Sequence, residues 1–270
     1  METIRSFSSA AIGWMLHPFS GHPAMLSLVP LSIGIGIAML WVFRRTSDQD
    51  AMRRTKARLS AHLLEMRLFA DEPLLVWKAQ RGLVAANLRY IGMVLVPALV
   101  MLLPMALLLS QLECFYGYSP LEPGREAIVT LQMKSPEQGP APALRAPDGV
   151  SVESPAIRVE GGRQISWRIR ALRPLTGNLE FIFPDHAVTK SVDAGSGPRY
   201  LSERRVSSNL LLMRYPGESR LSSARVDSIE LRYPDRKVHA LGLDLSWFVW
   251  LVALSMASAL ILKRRFRVSF

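Results

Sequence analysis

The stretch YIGMVLVPALVMLLPMALLLSQL, Tyr90–Leu112, carries no charged residue. A helix needs about 20 apolar residues to cross about 30 Å of hydrocarbon, so this run predicts a membrane span rather than a core helix. Two other runs read the same way. AMLSLVPLSIGIGIAMLWVF, residues 24–43, is also uncharged, and LSWFVWLVALSMASALIL, residues 245–262, carries Trp247 and Trp250 at one edge as interfacial anchors. The first run is too far from Arg5, and too long, for a signal peptide, and Arg44-Arg45 behind it suits retention rather than cleavage. Residues 1–23 then form an outside or interfacial segment.

The charges around these runs set an orientation. The chain has 270 residues, 33 Lys and Arg against 22 Asp and Glu, a net charge of +11 and 49% apolar content. Mean hydropathy is +0.17. Residues 44–89 hold ten basic and five acidic side chains, and the tail 263–270 adds four basic ones and no acid. Residues 113–244 are close to balance, with eighteen basic against sixteen acidic. The positive-inside rule therefore puts 44–89 and 263–270 in the cytoplasm and 113–244 outside. The expected location is a bacterial inner membrane, with the N-terminus outside and the C-terminus inside.

Residues 44–89 predict an antiparallel, coiled-coil-like helical hairpin. Met52, Leu59, Leu63, Met66 and Ala70 recur on one helical face. Asp71-Glu72-Pro73 interrupts, and Pro is tolerated in a first helical turn. Leu74, Trp77, Val84 and Leu88 then share a face of a second helix that runs into the second span. The basic cluster Arg44, Arg45, Arg53, Arg54, Lys56 and Arg58 is explained by topology, with anionic lipid headgroups as a natural partner. No aromatic interleaving supports a nucleic-acid partner.

Residues 113–244 change to short alternating stretches. Val129, Leu131 and Met133 alternate with Ile128, Thr130 and Gln132, and Ile165, Trp167 and Ile169 with Ser166, Arg168 and Arg170. Further strands are expected near 179–183, 187–193, 209–214, 226–233 and 237–241, with a Pro-rich linker at 134–150. The pattern predicts an antiparallel β-sandwich, with Trp167 in its core. The whole is an α+β membrane protein of three transmembrane helices, a cytoplasmic helical hairpin and an extracytoplasmic β-sandwich.

Catalytic and metal chemistry finds no carrier in the sequence. The lone Cys114 excludes an internal disulfide and a multi-cysteine zinc site. His17, His22, His62, His186 and His239 show no convincing metal-ligand spacing, and Gly195-Ser196-Gly197 lacks the frame of a nucleophile elbow. None of the three runs contains Asp or Glu, so an ion-coupled transporter has no obvious relay. No cofactor, metal or enzymatic activity is expected. Inside the spans the unusual residues are Pro30, Gly34 and Gly36 in the first and Pro97 and Pro104 in the second. They could bend the helices around a groove. Ala253 with Ala257, and Ser255 with Ala259, are small pairs at four-residue spacing that would permit close helix packing.

The order of span, basic hairpin and Pro-containing span resembles the core of the YidC-type insertase superfamily, including its three-span members. Trp41-Val42-Phe43-Arg44-Arg45, the hairpin 46–89 and NLRYIGMVLVPALVMLLPMALLLSQL carry the resemblance. It implies assistance with membrane-protein insertion or assembly, without covalent chemistry. The first span lacks the arginine of the bacterial members, and 113–244 replaces a short loop. The stretch Ile165–Gly195 resembles bacterial immunoglobulin-like modules, which implies a fold and no activity. A membrane-anchored interaction protein, binding a membrane or envelope protein through the outside domain, is the alternative function.

Overall fold

The computed structural model describes residues 24–69, 71–136 and 139–266. The predicted interfacial segment 1–23, Ala70 of the predicted hairpin face and Arg267 of the basic tail lie outside them. The protein is α+β, with long helices and antiparallel sheets, and it divides into two compact units.

One unit holds residues 29–105 and 250–266. It contains most of α1 (Ala24–Thr46), all of α2 (Gln49–Leu68) and the larger part of α3 (Pro73–Tyr116). Asp48 caps α2: its carboxylate accepts from the backbone N–H of Asp50 at 3.1 Å and of Ala51 at 2.9 Å. That satisfies amides which an α-helix leaves open at its start. Pro73 opens α3, where its missing N–H costs nothing. The helix then continues without a break for 44 residues, on the order of 66 Å at about 1.5 Å per residue.

The other unit holds residues 24–28 and 106–249. Six strands form one antiparallel sheet: β3 (Val150–Val152), β5 (Gln164–Ala171), β1 (Glu126–Met133), β9 (Val226–Leu231) and β8 (Arg204–Val206) in that order, with β4 (Ile157–Val159) also on β5. A second sheet orders β2 (Ala143–Arg145), β6 (Leu175–Ile182) and β7 (Ala187–Ala194). Alternation decides which side chains turn inward. On β1, Val129, Leu131 and Met133 are buried, while Ile128 is exposed. Both sheets feed one apolar core, in which Trp167 of β5 meets Phe181 of β6 edge-on with ring centres 5.4 Å apart. This arrangement is compatible with a β-sandwich.

Four expectations are corrected here. Residues 209–214 do not form a strand: Leu211–Arg214 is a single helical turn, α4, closed by the Tyr215 N–H on the Leu211 carbonyl. The segment 134–150 is not all linker, because Ala143–Arg145 pairs with 180–182 as the edge strand β2. Leu245 and Ser246 do not begin a helix. They end β11 (Leu243–Ser246), paired with β10 (Lys237–Ala240). The following helix, α5 (Trp247–Phe266), therefore has an apolar portion of only Trp247–Lys263. Two helices, α1 and α3, are long and apolar enough to cross a membrane, rather than three.

The β10–β11 hairpin turns on Leu241 and Gly242, both at positive φ (52° and 77°). Two central residues of positive φ match the hand of a tight hairpin turn. Leu241 is the only non-glycine residue there among the described residues, and it is 89% exposed.

Candidate functional site

The helical arm is built from two seams. Along α2 the shielded positions are Met52, Thr55, Leu59, His62 and Met66, spaced by threes and fours. Along α3 they are Val76, Ala79, Gly82 with Leu83, and Ala86. This spacing keeps one stripe of a helix turned to a neighbour. His62 and Gly82 meet: a Cβ at 82 would stand 2.7 Å from Cε1 of the imidazole. Both positions are ten residues from Glu72, so the two helices run back along each other as a hairpin. His62 Nδ1 also lies 2.9 Å from Glu65 Oε2, which orients the ring.

Met52, Leu59 and Met66 of the expected α2 face lie in the seam, whereas the packed face of α3 is not the apolar one. Leu63 is exposed, and Thr55 and His62 complete the α2 seam in its place. Leu74, Trp77, Val84 and Leu88 do share a face of α3, but it is the free one, at 83, 63, 58 and 64% exposure. Sequence reading found this face by counting large apolar residues, whereas close packing selected the small ones, Ala79 and Gly82. Arg44, Arg45, Arg53, Arg54, Lys56 and Arg58 are all exposed, on the end of α1 and the outer side of α2.

The predicted groove residues differ in exposure. Pro30, Gly34 and Pro104 are exposed, whereas Gly36 and Pro97 are buried. Gly36 has a defined task. A Cβ there would collide with the Ser258 hydroxyl and lie 2.7 Å from the Ser255 carbonyl oxygen, so α1 and α5 cross where only glycine fits. Ser255 is half-buried on that side, and Ser258 Oγ donates to the Ser255 carbonyl at 2.8 Å. Ala259 is half-buried, while Ala253 and Ala257 face outward. Small size at four-residue spacing marked both pairs, and it could not say which pair faced the neighbour. Ser258 was missed, though it lies three residues from Ser255 on the same face.

Where α3 ends, Phe115, Tyr116 and Trp247 cluster, with Tyr116 stacked on Trp247 at 6.1 Å and edge-on to Phe115 at 4.9 Å. The buried Tyr116 hydroxyl donates to Ser27 Oγ at 2.7 Å.

Two polar features mark the β-unit. Lys190 of β7 is fully buried; its Nζ donates to Glu218 Oε1 at 2.5 Å, and to the carbonyls of Ser202 at 2.5 Å and Ser191 at 3.3 Å. Burial pushes its pKa down, and the Glu218 carboxylate opposes that. Ser191 Oγ also donates to Glu218, at 2.7 Å. Every ammonium proton has an acceptor, so the centre ties the loop at 216–218 to the sheet rather than presenting a nucleophile. The second feature is a cleft of about 700 Å³ lined by Glu122, Arg125, Glu126, Arg168, Glu203 and Arg232 among others. Four of its charges pair among themselves, Arg125 with Glu122 at 2.9 Å and Arg168 with Glu126 at 3.4 Å, and Glu203 accepts from the Tyr118 hydroxyl at 2.7 Å. No group of three His, Cys, Asp or Glu side chains that could hold a metal occurs among the described residues.

Comparison with family models, with curated proteins and with solved structures finds no match to this chain.

Proposed function

We propose that this chain is a multi-pass inner-membrane protein that assists or scaffolds the assembly of other membrane proteins without covalent chemistry. The observation that carries the reading is the surface of α3. Its most apolar window has a mean hydropathy of 2.5, yet only 6% of that window is buried within the protein. A core helix of that composition would be covered by its own chain. A helix left open along its length needs an apolar medium, which a bilayer supplies. The matching window of α1 is 39% buried, as fits a span with one face on neighbouring helices.

On this reading α1 and α3 are the crossings, and α5, 20 residues from Trp247, packs on α1 with Lys263 and Arg265 near its end able to reach the headgroups. The excess of basic residues in 44–89 orients the arm to the cytoplasm, with anionic lipids as partners, and the β-unit outside. The β-unit, with an immunoglobulin-like sandwich, would meet a membrane or envelope protein partner there. The layout of arm and apolar helices favours an insertase-like role.

The test has two parts. Ser60→Cys on α2 and Ser196→Cys on the turn after β7 are labelled in intact spheroplasts with a membrane-impermeant maleimide. Only the Ser196 variant should react, and reaction of both from the same side overturns the topology. Photo-crosslinkers at Leu99 and Val100, exposed on α3, should then capture newly made membrane proteins. Capture of lipid alone would refute the assembly role.

A further inference from the structure

We infer that the free face of the α3 arm is the docking site of an acidic amphipathic helix from a partner protein, a conclusion that deepens the membrane reading above and rests on it. Leu74, Trp77, Val84 and Leu88 follow one heptad seam, and the position between Trp77 and Val84 in that seam is Arg81. The opposite side of the same helix, through Val76, Ala79, Gly82 and Ala86, is already used by the hairpin. The arm is thus a two-sided helix with one side occupied and one seam of coiled-coil spacing left open, which is the geometry that receives a helix.

Charge chooses among occupants. From Pro73 to Leu112 the chain has no Asp or Glu, and its only charged residues there are Lys78, Arg81 and Arg89. All three are exposed, and none makes an ion pair among the described residues. A second copy of the chain would bring like charges together along the seam, Arg81 foremost. A lipid surface would meet the charge but not the geometry. The arm continues without a turn into the apolar part of α3, so it stands away from the bilayer that holds that part instead of lying along it. A partner helix with apolar seam residues and acidic flanks, carrying one acid opposite Arg81, satisfies both. A single polar position in an apolar seam also fixes register, which would align such a partner.

The probe is a synthetic heptad-repeat peptide with leucine at the seam and glutamate at the flanks, beside a twin with lysine at the flanks. Full-length protein in nanodiscs of neutral lipid is titrated with each, and fluorescence anisotropy is read. The acidic peptide should bind, and the lysine twin should bind at least about tenfold more weakly. Trp77→Ala should lose about tenfold or more, as expected of a buried aromatic anchor. Arg81→Glu should reverse the preference between the two peptides. Circular dichroism keeps either variant from being mistaken for an unfolded arm. Equal binding of both peptides, or no effect of either substitution, overturns the inference. So does Trp77-dependent flotation with anionic vesicles in the absence of peptide binding. Self-association abolished by Trp77→Ala, again without peptide binding, would give the face to a second copy. Because labelling at Ser60 and Ser196 is read separately, failure of peptide binding with the labelling pattern intact removes only this inference.

Discussion

The imidazole of His62 lies against Gly82, with Cε1 only 2.7 Å from where a Cβ of residue 82 would stand. This single close approach lets α2 and α3 return along each other with small residues between them. Gly82→Leu would force the ring aside and part the hairpin. Overpacking of this kind costs roughly 1–3 kcal/mol. Thermal unfolding followed by circular dichroism should show a lowered midpoint. His62→Ala in the same chain should recover most of the loss, because it vacates the space.

Gly36 and Gly34 offer a paired test two residues apart. Nothing lies within 4 Å of a Cβ at Gly34, whereas one at Gly36 would meet the Ser255 carbonyl, which is backbone and cannot swing away. Gly34→Ala should leave the melting temperature in detergent unchanged or slightly raised. Gly36→Ala should lower it by several degrees. Equal behaviour of the two would mean that α1 and α5 do not cross at this point.

Removing one member of the buried pair in the β-unit should be costly. Lys190→Met takes the buried ammonium away from Glu218, and breaking a buried pair from one side typically costs about 3–5 kcal/mol. Adding Glu218→Leu to Lys190→Met should return a large part of it, since no uncompensated charge then remains. Chemical denaturation of the three variants against the parent gives the coupling directly.

Alkali should weaken the β-unit through its tyrosines. Burial raises the pKa of Tyr118, helped by its hydrogen bond to Glu203, and burial also raises that of Tyr233. Tyrosine in an unfolded chain ionises near pH 10. Above about that pH the unfolded state releases protons that the folded state keeps, so the stability these groups supply below it is progressively lost. Denaturation midpoints between pH 8 and pH 12 should fall for the parent. The fall should be shallower for Tyr233→Phe. That variant also removes the hydroxyl that accepts from the Asp193 N–H at 3.1 Å, so its stability at neutral pH should be lower from the start.

Leu241 occupies a backbone conformation that side chains other than asparagine, aspartate and glycine resist. The left-handed region costs an ordinary residue about 1–2 kcal/mol. Leu241→Asn would make an Asn-Gly turn and should raise stability by about 1 kcal/mol. A more stable protein with impaired assembly activity would mark Leu241 as retained for use rather than for folding.

Period and alternation read out most of the elements from the residues. The uncharged run after Tyr90 belongs to one long helix, and the alternating runs around Val129 and Trp167 are core strands, because burial of one side leaves a direct trace in sequence. The site was less legible for the same reason. Leu74, Trp77, Val84 and Leu88 look like a packed face, and their neighbours Ala79 and Gly82 look like nothing, yet contact distance is set by the small residues. Which of Ala253, Ala257 and Ser255 meets Gly36 depends on the rotation of one helix against another, and spacing alone does not encode that. Leu245 and Ser246 read as helix until the pairing of Lys237 with Ser246 and Val238 with Leu245 takes them into a hairpin. Lys190 and Glu218 lie 28 residues apart, and nothing local links them.

The joining of Lys190 to Glu218 has an evolutionary corollary. A substitution at either position alone strands a charge in the core, whereas an apolar exchange at both leaves none. Descent should therefore treat the two positions as one character. Among relatives of this sequence, Lys at 190 and Glu at 218 should appear or vanish together, and the lineages that lost both should carry an apolar pair of similar volume.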